Sequence, residues 1–246
     1  MNLQNLQTKP GTGFPVVCLL ISSAIATGLL ATRIFFTHRF QHLYLVWNLF
    51  LAWLPLGLAI VLAHWFRQGR NRAWRFYAAA FAWLIFFPNA PYIFTDLVHL
   101  THRPGGLFWV DMVLILLFSL NGLFAGFLSL HLIHWISSSL YGRIAGWLCV
   151  AVATGLSGLG IYIGRFLRWN SWDILVNPIN LAADLMGWLA HPISYPAPLV
   201  YSALFALFLF LAYLMLHALT HLNPIHSAAL KTGTGSAASS WEHNAS

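Results

Sequence analysis

Long apolar runs, separated by shorter polar stretches, dominate this chain of 246 residues. Six runs reach the roughly 20 residues that a helix needs to cross about 30 Å of hydrocarbon. They cover about 14–32, 43–66, 76–98, 107–132, 144–163 and 199–220. The pattern predicts an all-α fold, a polytopic membrane helix bundle with about six transmembrane helices. We expect residues 1–222 to form one transmembrane domain, and the small polar residues of 223–246 to form a disordered tail.

The composition agrees with a membrane protein, because 59% of the residues are hydrophobic and only 7% are charged. A water-soluble surface needs far more charge than this. The net charge of +7 raises the question of nucleic acid. The basic residues do not cluster on a soluble, aromatic-rich module, so nucleic acid is not expected and membrane lipid is the expected partner.

The arginines predict the orientation of the chain in the membrane. The loop "RQGRNRAWR" between the second and third runs carries four of them. Loops rich in arginine and lysine stay on the cytoplasmic side, so this loop and both termini are predicted to be cytoplasmic. The loops 33–42, 99–106 and 164–198 then face outward.

The string "FFPNAPYIFTDLVHL" at the end of the third run carries two prolines. Pro88 cannot donate to the carbonyl of Leu84, and Pro91 cannot donate to that of Phe87, so the helix must kink or break. The freed carbonyls need partners in hydrocarbon, and Asn89 can supply one donor. Two interpretations remain open: a kink that only bends a packed helix, or a broken third helix that lines a pocket.

Polar side chains follow the prolines. Asp96 and His99 are three positions apart and share one helix face. They are the candidate catalytic residues, as an acid/base pair, or metal ligands with Asp111, since a metal site needs three or more ligands. The alternative is that Asp96 pairs with an arginine and His99 caps carbonyl groups at a wet interface. The sequence identifies no cofactor.

The string "GLGIYIGRFLRWNSWD" closes the fifth run. Gly160 and Gly164 are four positions apart, as are Gly122 and Gly126 on the fourth run, and such steps let helices approach closely. We predict that the fourth and fifth spans pack together there. Asn180 and its neighbours between the fifth and sixth runs are too polar to span, and they predict an interfacial helix or a lid before the last span.

Arg165 and Arg168 leave the fifth run on the same predicted membrane face as Asp96. They either form salt bridges to Asp96, Asp111 or Asp173, or bind a phosphate or carboxylate of a ligand. The chain has only five acidic residues, and four lie at or near this face: Asp96, Asp111, Asp173 and Asp184. No carboxylate lies in the middle of a predicted span. This argues against a proton relay through the bilayer centre.

The two quoted strings resemble the signatures of an uncharacterised bacterial membrane family, the domain of unknown function family 1361. The resemblance covers roughly 45–215 and implies a multi-pass protein of the bacterial inner membrane. No established activity comes with it. The residues that match the family's motif positions are Pro88, Asn89, Pro91, Tyr92, Thr95, Asp96, His99, Gly164, Arg165, Arg168, Asn170, Trp172 and Asp173.

Three functions fit the sequence. In the first, the protein binds or processes an anionic, lipid-linked or small-molecule substrate at the extracytoplasmic interface of the membrane. Alternatively, it is a structural or assembly subunit whose Asp/Arg/His cluster is an interhelical salt-bridge network, or a small-solute transporter gated by the broken helix. Whether it is an enzyme is left open. For the first function the candidate substrate-binding residues are Asn89, Tyr92, Arg165, Arg168, Asn170 and Asp173.

Overall fold

The computed structural model describes residues 11–102, 107–169, 173–190 and 196–220. These residues form helices joined by short turns, and they contain no strand. The elements in chain order are α1 Gly13–Thr37, α2 Tyr44–Arg67, α3 Trp74–Phe86, α4 Asn89–Tyr92, a 3-10 helix Ile93–His102, α5 Phe108–Tyr141, α6 Arg143–Phe166, α7 Asp173–Val176, α8 Pro178–Ala190 and α9 Pro196–Thr220.

Six segments are long and apolar enough to cross a membrane. They are Gly13–Thr37, Tyr44–Arg67, Trp74–Leu97, Phe108–Tyr141, Arg143–Phe166 and Leu199–Thr220. The predicted all-α fold with six spans is confirmed, and the chain is a multi-pass integral membrane protein. Helix α8 is the predicted short helix before the last span, with 13 residues and a largely exposed surface.

The chain divides into two compact units, Met1–Leu207 and Phe208–Ser246. The first unit contains the first five spans and the start of α9, and the second begins within α9. The extent of one transmembrane domain over 1–222 stays a prediction, as do the orientation and the kind of membrane. The predicted disordered tail, 223–246, lies outside the described residues.

The third span is broken where the prolines predict a break. Helix α3 ends at Phe86, α4 makes a single turn, and the chain then tightens into the 3-10 helix. Local side chains supply backbone partners: Asn89 Nδ2 donates to the Phe86 carbonyl at 3.1 Å, and Thr95 Oγ1 donates to the Tyr92 carbonyl at 2.7 Å. Ser119 Oγ of α5 lies 3.0 Å from the Ile93 carbonyl oxygen and 2.7 Å from the Ile115 carbonyl oxygen, so its one proton is shared between the interrupted backbone and α5.

The glycine step on α5 contacts this interrupted segment. A Cβ placed on Gly122 would lie 2.6 Å from the Ala90 carbonyl oxygen, and one on Gly126 would lie 3.0 Å from the Ala90 Cβ. Neither position leaves room for a side chain. The Ala90 backbone packs on Gly122 and the Ala90 methyl group packs on Gly126, which is the close approach that small residues permit.

The glycine step on α6 contacts the same segment. A Cβ on Gly160 would lie 2.9 Å from Pro88 Cγ, and one on Gly164 would lie 3.2 Å from the Tyr92 ring. Helices α5 and α6 do pack together. Their glycine steps, however, face α4 and its flanking residues rather than each other, because backbone and side-chain atoms of the broken segment fill the space that the glycines leave.

Helix α5 continues past the predicted end of the fourth span, to Tyr141. Ser139 Oγ donates to the Trp135 carbonyl at 2.8 Å, so this serine stays within the helix instead of ending it. The helix ends at Gly142, whose φ of 92° is one that side-chain-bearing residues rarely adopt. At 34 residues, α5 is about 50 Å long and exceeds the hydrocarbon thickness.

Candidate functional site

Asp96 is the centre of a buried polar cluster. Its side chain is only 2% exposed. Arg165 Nη1 of α6 donates to Asp96 Oδ1 at 2.9 Å, and Asn48 Nδ2 of α2 donates to Asp96 Oδ2 at 3.0 Å. The carboxylate therefore joins three elements: α2, the 3-10 helix and α6. The salt-bridge interpretation of Arg165 is the one that the structure shows.

Tyr92 lies beside this ion pair. The guanidinium carbon of Arg165 is 6.0 Å from the centroid of the Tyr92 ring, at the outer limit of a cation–π contact. The absence of a side chain on Gly164 leaves the ring room to lie against α6. Arg165 is half-buried, with 16% of its side chain exposed. Tyr92 is thus a wall of the cluster, on the segment that also carries Asp96.

Asp111 is the centre of a second cluster, at the start of α5. Arg33 of α1 binds Asp111 through two hydrogen bonds: Nε donates to Oδ1, and Nη2 donates to Oδ2 at 2.9 Å. His42 Nε2 lies 3.3 Å from the same Oδ2. This bidentate geometry gives an arginine–carboxylate pair both strength and direction. It ties α1, the turn after it and α5 together.

The metal-site hypothesis has no added support. Among the described residues, no group of three or more His, Cys, Asp or Glu side chains is placed to hold a metal ion. Asp96 and Asp111 each have an arginine partner. The side chain of His99 lies outside the described residues. The set Asp96, His99 and Asp111 therefore stays a prediction, as does the catalytic role of Asp96 and His99.

Arg168 differs from Arg165 because it is exposed. It follows the end of α6 in the left-handed conformation, with φ of 60°. We find no ion pair between Arg168 and the described residues. The next residue is fixed twice: the Trp169 backbone N–H donates to the Ile163 carbonyl at 3.3 Å, and Trp169 Nε1 donates to Asp184 Oδ2 of α8 at 2.9 Å.

The remaining predicted binding residues have separate positions. Asp173 is half-buried and begins α7, where its backbone carbonyl accepts a bond from the Asn177 N–H at 2.8 Å. Asn89 donates to the backbone of α3, as described above. Asn170 lies outside the described residues. Of the six predicted binding residues, the structure brings Tyr92 and Arg165 together, with Asp96.

A family comparison gives the relationship of the chain to known proteins. The model of a family described as "Protein of unknown function (DUF1361)" matches residues 47–216. The chain belongs to this family. The predicted membership is confirmed, and the matched region contains both Asp96 and Arg165. No curated protein matches the chain. No solved structure matches it either.

Sequence reasoning missed three residues of the two clusters: Arg33, His42 and Asn48. Asn48 lies inside the region that matches DUF1361, and the other two lie before it. The missed signal was a polar side chain near the end of an apolar run, because such a group needs a partner in the membrane. Arg33 entered the sequence analysis only as part of a loop that bears on orientation.

An apolar cleft of about 540 Å³ lies beside the second cluster in this DUF1361 protein. The end of α1 and the start of α5 line it, and Arg33 is the charged residue in its wall. Arg33 Nη1 is buried and has no hydrogen-bond partner within the described ranges. The cleft gives an apolar chain room next to an arginine whose Nη1 has no partner among the described residues.

Proposed function

We propose that this DUF1361 protein is a structural membrane subunit whose polar cluster fixes the broken third span. One observation carries the proposal: the buried Asp96 carboxylate bonds to Asn48 of α2 and to Arg165 of α6 at the same time. Each of its two oxygens accepts a bond from a different helix. Asp96 therefore holds together helices that the break in the third span would otherwise leave free to shift.

The burial of the pair supports this function over catalysis. A general acid or base must reach the proton that it transfers, and Asp96 is 2% exposed with both oxygens bonded. Arg165 gives one of its donors to Asp96, so the carboxylate holds the arginine side chain in place. The close packing of Ala90 against glycines of α5, and of Tyr92 against a glycine of α6, supports the same view. The broken segment is packed between these two helices.

Comparing stability with function tests the proposal. Asp96→Asn keeps the shape of the side chain and removes its charge, whereas Asp184→Asn makes the same change at an exposed acid of α8. We expect Asp96→Asn to lower the thermal midpoint in detergent. Its ability to rescue a deletion strain, which is the measure of function here, should fall in the same proportion. Asp184→Asn should leave the midpoint near that of the wild type. An Asp96→Asn protein that keeps its midpoint and loses function would contradict a structural role.

One observation favours a second function, the binding of an anionic, lipid-linked substrate at the membrane interface. Arg168 is exposed next to the first cluster, in a conformation that side-chain-bearing residues adopt at a cost. A fork of guanidinium donors there suits a phosphate or carboxylate. In this function Asp96 and His99 are the candidate catalytic residues, and Asn170 and Asp173 are candidate binding residues.

A thermal-shift assay separates the second function from the first. Inorganic phosphate and a short-chain phosphatidic acid are added to the purified wild type and to Arg168→Gly. Binding at Arg168 predicts that the phosphatidic acid raises the midpoint of the wild type and not that of the variant. A shift with inorganic phosphate as well would assign recognition to the anion alone. Equal shifts in both proteins, or none, would remove Arg168 from the site.

A further inference from the structure

A strongly basic surface lies at the end of the protein opposite the two acidic clusters. It consists of five exposed arginines, which we call the arginine patch: Arg67, Arg70, Arg72, Arg75 and Arg143. Arg67 ends α2, Arg70 and Arg72 lie in the turn between α2 and α3, and Arg75 lies in the first turn of α3. Arg143 begins α6. None of them belongs to the site described above.

Aromatic contacts bring the two parts of the patch to one end of the protein. The Arg67 guanidinium carbon lies 5.6 Å from the centroid of the Trp135 ring near the end of α5. The Phe66 and Trp135 rings meet edge to face, with centroids 5.1 Å apart. Helix α5 ends at Tyr141, and Arg143 follows after one residue. The end of α2, the end of α5 and the start of α6 therefore share one end.

Within the described residues, no acidic side chain forms an ion pair with the patch. Four of the five acidic residues of the chain lie between 96 and 184, and the fifth is in the C-terminal segment. Asp96 bonds to Asn48 at the start of α2, and α2 has 24 residues, so the Asp96 cluster is about 30 Å from Arg67. We find no ion pair between a patch arginine and the part of the chain that the structure describes.

Exposed aromatic residues place the patch at the depth of lipid headgroups. Trp74 is 74% exposed, Tyr141 is 66% exposed and Tyr77 is 53% exposed, all close in sequence to patch arginines. Tryptophan and tyrosine concentrate at the two membrane–water interfaces. The Arg75 guanidinium carbon lies 5.9 Å from the centroid of the Trp74 ring, so an interfacial ring and a patch charge lie side by side.

We propose that the arginine patch binds the headgroups of anionic phospholipids. Exposed guanidinium groups at headgroup depth meet lipid phosphates first, and arginine binds phosphate through two parallel bonds. A zwitterionic headgroup offers the same phosphate but cancels its charge with a choline or amine. Lipids with a net negative charge are therefore favoured. The proposal is separate from the proposed function, and it holds for either orientation of the chain.

Native mass spectrometry of the purified protein tests this proposal. The protein is incubated with equal amounts of phosphatidylglycerol and phosphatidylcholine, and the retained lipids are counted. We expect the wild type to prefer phosphatidylglycerol. Each arginine near a membrane surface strengthens the attraction about fivefold, so Arg70→Gln/Arg72→Gln should reduce the preference roughly 25-fold. Arg70→Lys/Arg72→Lys keeps the charge and should keep most of the preference.

Arg39→Gln is the matched control, because Arg39 is an exposed arginine in the turn before α2, at the opposite end of that helix. We expect Arg39→Gln to leave the preference unchanged, whereas Arg70→Gln alone should lower it about fivefold. Equal retention of the two lipids by the wild type would overturn the proposal. So would an equal loss in Arg39→Gln and Arg70→Gln, because the preference would then follow net charge alone.

A salt titration of the wild type gives a second readout that needs no variant. Salt at 1 M shortens the screening length to about 3 Å, against about 10 Å at 0.1 M. We expect the preference for phosphatidylglycerol to fall steeply over this range. A preference that does not change with salt would mean that apolar contacts, and not the patch, select the lipid.

Discussion

Asp96 and Arg165 form an ion pair at 2.9 Å, although 69 positions separate them in the chain. The pair links the 3-10 helix of the broken third span to the end of α6. Removing one partner of a buried ion pair typically costs about 3–5 kcal/mol, because the other charge is left without a partner. The contribution of the pair is therefore best measured as the change in stability of variants that lack one or both partners.

Asn48→Leu should destabilise the protein by about 1–3 kcal/mol, because Asp96 Oδ2 loses its donor inside the protein. The unfolding free energy in mixed micelles measures this. Asn180→Leu is the control, since Asn180 is exposed and its amide bonds to the Asn177 side chain at 3.0 Å. If the two variants lose equal stability, the Asn48 bond contributes nothing of its own.

Gly122→Ala should destabilise the protein, because the added Cβ would lie 2.6 Å from the Ala90 carbonyl oxygen, which is backbone and cannot turn aside. We expect a loss of about 1–3 kcal/mol from such overpacking. Gly155→Ala is the matched control within α6, where a Cβ has no atom within 4 Å. This control should stabilise its helix by about 0.5–1 kcal/mol. Thermal midpoints of the two variants should therefore move in opposite directions.

Asp111→Asn should weaken the attachment of α1 to α5. Arg33 then loses a charged acceptor that takes two of its donors, and hydrogen bonds to charged groups contribute about 1.5–3 kcal/mol each. Limited proteolysis in the turn between α1 and α2 measures the attachment, and we expect faster cleavage after Arg39 by trypsin. His42→Ala removes only the longer contact, at 3.3 Å, and should have a smaller effect. Unchanged cleavage of Asp111→Asn would contradict this.

Arg168→Gly should keep or raise stability by about 1 kcal/mol, because glycine adopts a positive φ without the clash that a Cβ introduces. Thermal unfolding checks this. Arg168→Val is the opposite control, since a β-branched residue in this conformation is a genuine outlier, and it should lower the midpoint. A midpoint for Arg168→Gly well below that of the wild type would show that the arginine side chain itself stabilises the end of α6.

The sequence predicted those features that depend on local chemistry. Pro88 and Pro91 lack backbone donors wherever they occur in a helix, so the break in the third span follows from two positions alone. Asn89 was expected to supply a donor to the freed backbone, and it bonds to the Phe86 carbonyl. The six spans follow from run length and composition in the same way.

Features that depend on which helices are neighbours did not follow from the sequence. Arg165 and Arg168 were the candidate partners of Asp111, but the structure pairs it with Arg33 because the end of α1 lies against the start of α5. The glycine steps showed that something approaches closely, but not what approaches. The broken segment is that partner, and the turn at Asn89–Tyr92 gives no helical periodicity from which this contact can be read.

A double-mutant cycle on Asp96 and Arg165 tests the central claim most directly. Unfolding free energies are measured for the wild type, Asp96→Asn, Arg165→Met and the double variant. We predict that each single variant loses about 3–5 kcal/mol and that the double variant loses clearly less than the sum, since no charge is left buried without a partner. Additive losses would contradict a structural pair, because the two side chains would then act independently.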